Sequence, residues 1–237
     1  MVLWLLSRLR RALARSLPYG AGVRAGKAAA ALIALFLALA GHAAAEPVRI
    51  VALGDSLTQG YGLAPEDGFV PQLQAWLAAR GAEAEVINAG VSGDTTAGGA
   101  ARVEWTLAGG ADALIVALGG NDMLRGLDPE NARENLEKIL AAAERAAVPV
   151  LLIGIAAPVN YGPDYKDAFD AIWPELAARH GALLVPDFLA PLRAAIAAGA
   201  DRARLMQPDG IHPSAEGVRL MVEAVGPRVL ELLARVE

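Results

Sequence analysis

The stretch RIVALGDSLTQG, residues 49–60, is an aliphatic run that ends abruptly in Gly-Asp-Ser. Arg49 to Leu53 reads as a buried strand, and Gly54, Asp55 and Ser56 are residues that turns favour for backbone reasons. The same three residues admit a second reading. Ser56 stands at the mouth of a sheet as a nucleophile, which requires a base, an oxyanion hole and a fold that brings them together.

Four further runs share the character of the first: EVINA at 85–89, ALIVAL at 113–118, VPVLLIGI at 148–155 and ALLVPDF at 182–188. They are nearly continuous in Val, Ile, Leu and Ala rather than alternating, as in strands covered on both faces of a parallel sheet. The stretches between them are long enough for helical crossovers. Asp128-Pro129-Glu130 opens one helix through Ala147, with Asp128 as cap and Pro129 at the first helical position. Asp94 is placed to cap a second, toward Leu107, although Gly98 and Gly99 weaken it. Residues 69–80 and 165–180 read as helices, and Ser214 caps a last one that Gly226-Pro227 is expected to break or kink. The pattern predicts a three-layer α/β/α sandwich around a five-stranded parallel sheet. Ligands of such sheets bind beyond the carboxyl ends of the strands, where the polar motifs of this chain fall.

Residues 1–45 differ in kind. They carry six basic residues, Arg8, Arg10, Arg11, Arg15, Arg24 and Lys27, and no acid. The apolar run AAAALIALFLALA at 28–40 precedes Ala43-Ala44-Ala45. This is the layout of a secretory signal peptide cleaved after Ala45, and the apolar run is short for a membrane span. Two alternatives remain: a start codon further downstream, or an uncleaved anchor. Two domains are therefore expected, residues 1–45 as signal peptide or N-terminal anchor and 46–237 as a single folded unit, exported to a bacterial periplasm. Membrane contact is expected only through an uncleaved N-terminal segment.

Without those residues the net charge moves from −5 to −11. A chain this acidic is unsuited to nucleic acid, whose phosphates need clustered Lys and Arg. There is no cysteine, which excludes a thiol nucleophile, disulfides and thiolate metal sites. Gly60-Tyr61-Gly62 lacks the third small residue of a dinucleotide fingerprint, and no phosphate-binding loop motif exists. No spacing suggests a metal site, and no cofactor is expected.

Beyond residue 45 only Ser56, Ser92 and Ser214 are serines, and only His180 and His212 are histidines. Ser56 alone directly follows a buried strand, where helix amides can stabilise negative charge. Thr58 breaks the Gly-x-Ser-x-Gly pattern of the usual nucleophile elbow. His180 precedes Gly181 at a helix end and reads as structural, interacting with the last carbonyls. His212 lies in Asp209-Gly210-Ile211-His212-Pro213, a loop in which Asp209 can hold its ring. Asn121 follows two glycines at a strand end and can donate to a developing oxyanion, as can the Gly93 and Ser56 amides. Each of these motifs also has a plain reading as turn chemistry.

Taken in order, Gly-Asp-Ser-Leu-Thr, Ser-Gly-Asp-Thr with Gly93, Gly-Gly-Asn-Asp with Asn121, and Asp-Gly-Ile-His-Pro resemble the blocks of the SGNH, or GDSL, hydrolase family. The resemblance runs from about residue 49 to the C-terminus. It is greatest to the bacterial periplasmic branch with acyl-CoA thioesterase I, arylesterase and lysophospholipase activities. It implies a flavodoxin-like fold, Ser56 as nucleophile, His212 as base, Asp209 as its orienting acid, and Ser56, Gly93 and Asn121 as the oxyanion hole. The loop from Ala156 through Asn160 and Tyr161 to Gly162, with Tyr165, is similar to the one that borders the acyl groove there. Asn160 and Tyr161 are accordingly expected to touch substrate. Leu57, Leu63, Phe69, Val159 and Tyr161 are expected to surround the polar set with apolar surface. The expected protein is a monomeric serine esterase or thioesterase acting on a small-molecule or lipid ester. The alternatives are an acetyl esterase on envelope glycans and a non-catalytic periplasmic binding protein on the same fold.

Overall fold

The computed structural model describes residues 46–236. The expected signal peptide or anchor at 1–45 lies outside the described residues. Five strands form one all-parallel sheet: β1 (Val48–Gly54), β2 (Ala84–Gly90), β3 (Ala113–Ala117), β4 (Val150–Ile153) and β5 (Leu183–Val185). Their order is β2-β1-β3-β4-β5, so the chain reverses its direction of progress across the sheet between β1 and β3. Open parallel sheets hold their ligands at such a reversal.

Alternation along the strands separates two cores. Ile50, Ala52, Ile115 and Leu151 face one side, packed with Phe69, Leu73, Val222 and Val225. These come from α2 (Phe69–Ala78) and α10 (Ala215–Leu233). Val51, Leu53, Leu114 and Val116 face the other, against Val103, Leu136, Ile139 and Trp173. Those belong to α3 (Thr96–Ala108), α5 (Pro129–Arg145) and α7 (Ile172–His180). Burial on both faces is why the strands read as unbroken aliphatic runs. The remaining helices are α1 (Ser56–Gln59), α4 (Gly120–Leu124), α6 (Pro163–Asp170), α8 (Ala190–Ala197) and α9 (Arg202–Leu205).

Two helix caps fall where expected: Asp128 accepts from the Glu130 N–H and Ser214 from the Gly217 N–H. Asp94 does not cap α3. Thr95 does, accepting from the Gly98 N–H, and Asp94 instead accepts from Arg102 Nε at 2.9 Å. A partly buried guanidinium is the stronger partner for a carboxylate than a single amide. Gly98 and Gly99 lie inside α3 without ending it. A Cβ at Gly99 would stand 2.2 Å from Leu118 Cδ1, so close packing on the residue that follows β3 accounts for that glycine.

The helix expected at 165–180 is two, divided at Ala171. Pro174 has no N–H for the Asp170 carbonyl one turn back, and its ring crowds that carbonyl. His180 is structural but differs in partners: its ring nitrogens face Glu144 Oε1 at 2.7 Å and Glu137 Oε1 at 3.0 Å, both on α5. Pro227 does not break α10, which runs as one element through it. The helix is held by the core and by Gly226, which lies against the Trp76 ring.

That last contact sets intrinsic propensity against packing. Alanine favours a helix interior over glycine by about 1 kcal/mol, yet its Cβ at 226 would stand 2.6 Å from Trp76 Cζ3. The indole cannot easily yield, because its Nε1–H donates to Glu223 Oε2 at 2.8 Å. Overpacking costs about 1–3 kcal/mol, so Gly226→Ala should lower the urea midpoint; a raised midpoint would show that the ring moves aside freely.

Candidate active site

Ser56 opens α1 directly after β1. Asp55 caps that helix, with its Oδ1 accepting from the Leu57 N–H at 3.0 Å. The Ser56 amide is the first of the helix and has no partner within it, so it is free to donate. Close packing under the turn fixes its path: a Cβ at Gly54 would stand 2.0 Å from Thr58 Oγ1, and one at Gly90 2.4 Å from the Gln59 nitrogen.

His212 reaches Ser56 from the other end of the domain. Its Nε2 lies 2.9 Å from Ser56 Oγ, and its Nδ1 lies 2.6 Å from Asp209 Oδ2. Asp209 accepts at Nδ1, so the imidazole presents an unprotonated Nε2 to the serine hydroxyl when it is neutral. The other Asp209 oxygen accepts from the Ile211 and His212 amides at 2.9 and 3.0 Å. The His212 side chain and these two amides hold the Asp209 carboxyl down at about 2.

The loop that carries this pair is fastened at several points. Gln207 Nε2 donates to the carbonyls of Tyr61 and Pro213, and the Gln207 amide donates to the His212 carbonyl at 2.8 Å. Arg202 Nη2 donates to the Gly210 carbonyl, and the Tyr61 ring lies 4.7 Å from the imidazole. No motif in the sequence pointed to Gln207 or Arg202, because each acts through backbone carbonyls, which no side-chain pattern records.

Asn121 is the second residue of α4, just beyond β3. Gly119, with φ of +112°, turns the chain there, and a Cβ on it would stand 2.8 Å from Trp173. The Asn121 Nδ2 donates to Asp55 Oδ2 over 3.4 Å. Asp55 itself is 3% exposed, and desolvation pushes its carboxyl up to about 6 against the opposing pull of the Leu57 amide, His212 and Asn121. Sequence reading passed over Asp55 as part of a turn.

The loop with Gly93 is drawn to the same strand end by the Val91 N–H, which donates to the Gly54 carbonyl at 3.0 Å. The Gly93 carbonyl accepts from Arg125 Nη2. Its N–H donates to no other group among the described residues.

Ser56, Asn121 and His212 border a cavity of about 390 Å³. Its walls are largely apolar, with Leu57, Met123, Ile155, Leu192, Ile196 and Met206 among them, and Arg193 and Arg202 add two guanidiniums. Arg193 is paired with Asp187. Asn160 and Tyr161 do not line this cavity, contrary to expectation. Tyr161 turns its hydroxyl to the Leu124 carbonyl and its ring to Tyr165, and the cavity wall on that side is Ile155, Ala156 and Pro158. Gly93 lies outside the lining as well. Of the apolar residues expected around the site only Leu57 lines it; Phe69 is fully buried against Phe188, and Val159 is 74% exposed. Helices α8 and α9 supply the missing wall. Among the described residues no cluster of three or more His, Asp or Glu side chains is arranged to hold a metal.

Comparison with known proteins identifies the family. The model of the GDSL-like Lipase/Acylhydrolase family matches residues 52–220. Esterase TesA of Pseudomonas aeruginosa is 40% identical over 193 residues, which cover 81% of this chain and 92% of that protein. Thioesterase 1/protease 1/lysophospholipase L1 of Escherichia coli is 36% identical over 76% of this chain and 82% of its own length. The crystal structure of AlinE4, an SGNH-hydrolase family esterase, superposes with a TM-score of 0.64 at 44% identity, over 80% of this chain and 98% of that one. An all-parallel sheet with its polar blocks at the strand ends, and a family match across most of the folded unit, place this chain in the GDSL-like lipase/acylhydrolase family, the SGNH hydrolases.

Proposed function

We propose that the protein is a serine esterase or thioesterase that forms an acyl-enzyme on Ser56. The observation that carries this reading is the continuous hydrogen-bonded chain from Ser56 Oγ through the His212 ring to Asp209, opening on an apolar cavity. His212 Nε2 takes the hydroxyl proton as Ser56 Oγ bonds to the ester or thioester carbonyl. The Ser56 and Gly93 amides and Asn121 Nδ2 hold the oxyanion. The tetrahedral intermediate then breaks its bond to the alcohol or thiol, which leaves with the proton from His212. Water repeats the sequence on the acyl-enzyme, His212 again taking and returning a proton, and releases the acid.

The relatives point the same way, being named esterase and thioesterase/lysophospholipase. The cavity has far more room than an acetyl group needs, which favours a lipid or aryl ester over an envelope acetyl group. Export to a periplasm follows from the basic, apolar and Ala-x-Ala order of residues 1–45, and it makes cytosolic acyl-CoA an awkward natural substrate.

Residues 46–237 should hydrolyse p-nitrophenyl esters, with turnover rising from acetyl to longer chains. Ser56→Ala should lower kcat by roughly 10⁴-fold or more. Asn121→Ala should lower it by roughly 10²–10³-fold. A folded Ser56→Ala protein that keeps its rate would sink the serine mechanism, and a preference for acetyl would favour the glycan reading.

The two site carboxyls should titrate on opposite sides of an ordinary aspartate. Asp209 is depressed to about 2, so its stabilising bonds are complete above the unfolded value of about 4 and are lost as pH falls toward 2. Asp55 is raised to about 6, so its burial costs nothing below about 4 and the full amount above 6. Carbon-13 NMR of the side-chain carboxyls should give midpoints of about 2 for Asp209 and about 6 for Asp55. Two ordinary midpoints near 4 would contradict the bonding and burial described.

A further inference from the structure

A carboxyl with almost no solvent contact sits directly beneath the site, and the acyl-transfer steps make no use of it. Asp55 spends one oxygen on the Leu57 amide in the first turn of α1 and aims the other at Asn121 Nδ2. The chain keeps the space between them open. Gly120 adjoins Asn121, and a Cβ there would stand 3.1 Å from Asp55 Oδ2.

An Asn side chain carries a carbonyl and an amino group of nearly the same shape, so packing alone does not choose which of them faces a ligand. An oxyanion requires the amino end. A carboxylate can only accept, and one placed on the side of Asn121 away from the substrate selects that end and leaves its second N–H directed outward.

We propose that Asp55 is a positioning residue, holding the Asn121 amide with its N–H toward the oxyanion through the bond to Oδ2. The proposal rests on the reading of Asn121 as an oxyanion donor. Desolvating a carboxylate is unfavourable, and a capping role alone does not require burial, since Ser, Thr or Asn caps as well.

The test is a double-mutant cycle on kcat for a p-nitrophenyl ester, using Asp55→Asn, Asn121→Ala and both together. Asn at 55 keeps the capping oxygen but can set its amino group against Asn121 Nδ2, turning the carbonyl of Asn121 toward the substrate. Asp55→Asn alone should lower kcat roughly ten- to a hundredfold with little change in KM, because the interaction is made in the transition state. The double variant should be no slower than Asn121→Ala, since Asp55 acts only through that side chain. Multiplying losses would overturn the proposal and assign Asp55 a direct effect on the imidazole. An unchanged kcat in Asp55→Asn would overturn it too. If Asn121→Ala itself keeps full turnover, the oxyanion reading fails first, and the two failures are distinct. Should Asp55→Asn not fold, Gly120→Ala presses on the same carboxylate and should lower kcat in the same sense; unchanged kcat there, with the fold intact, would count against the proposal.

Discussion

A parallel sheet ends its strands in carbonyls that the next strand cannot satisfy, and the site must be built on top of them. One guanidinium ties two of those strands together here. Arg102, on α3, donates from Nη2 to the Gly54 carbonyl at 3.0 Å, from Nη1 to the Ala89 carbonyl at 2.7 Å, and from Nε to Asp94. It therefore binds the ends of β1 and β2 to each other and to the loop after β2. Hydrogen bonds to a charged group contribute about 1.5–3 kcal/mol each, and the planar fork sets their directions as well as their strength. The turn that presents Ser56 and the loop that presents Gly93 both leave from atoms this side chain holds.

Above that base the site separates two carboxyls by environment. Asp209 is exposed and over-supplied with donors, so it stays ionised and keeps the His212 ring in one tautomer. Asp55 is enclosed and supplied with fewer, so its charge is costly to hold. Residues of one type thus occupy opposite ends of the carboxyl range within a single site, and the difference comes from the hydrogen bonds that His212 and two amides give Asp209 and from the exclusion of water around Asp55.

Much of the architecture was legible because burial on both faces demands unbroken aliphatic strands, and because Asp128 and Ser214 carry capping chemistry in their own side chains. The polar blocks were legible because Gly-Asp-Ser, Gly-Gly-Asn-Asp and Asp-Gly-Ile-His-Pro each keep their functional atoms within a few residues. What escaped was set by distant partners. Asp94 looked like a cap until Arg102 was placed two turns along α3, and Gly226-Pro227 looked like a break until Trp76 was found beneath it. The cavity walls from α8 and from the residue after α9 carry no signature, since Leu192, Ile196 and Met206 are indistinguishable in sequence from core residues. Asn160 and Tyr161 were expected at the substrate, but the Tyr161 hydroxyl is taken by the Leu124 carbonyl.

The hydrogen bond between His212 and Ser56 joins residues 156 positions apart, the one near the end of the folded unit and the other near its beginning. On the proposed mechanism, a chain leaving the ribosome exposes its serine long before the imidazole exists to activate it. The last loop and α10 must dock before proton transfer is available at all. Reactivity toward ester bonds is in this way withheld from every unfinished or truncated copy, and it arrives with completion of the fold.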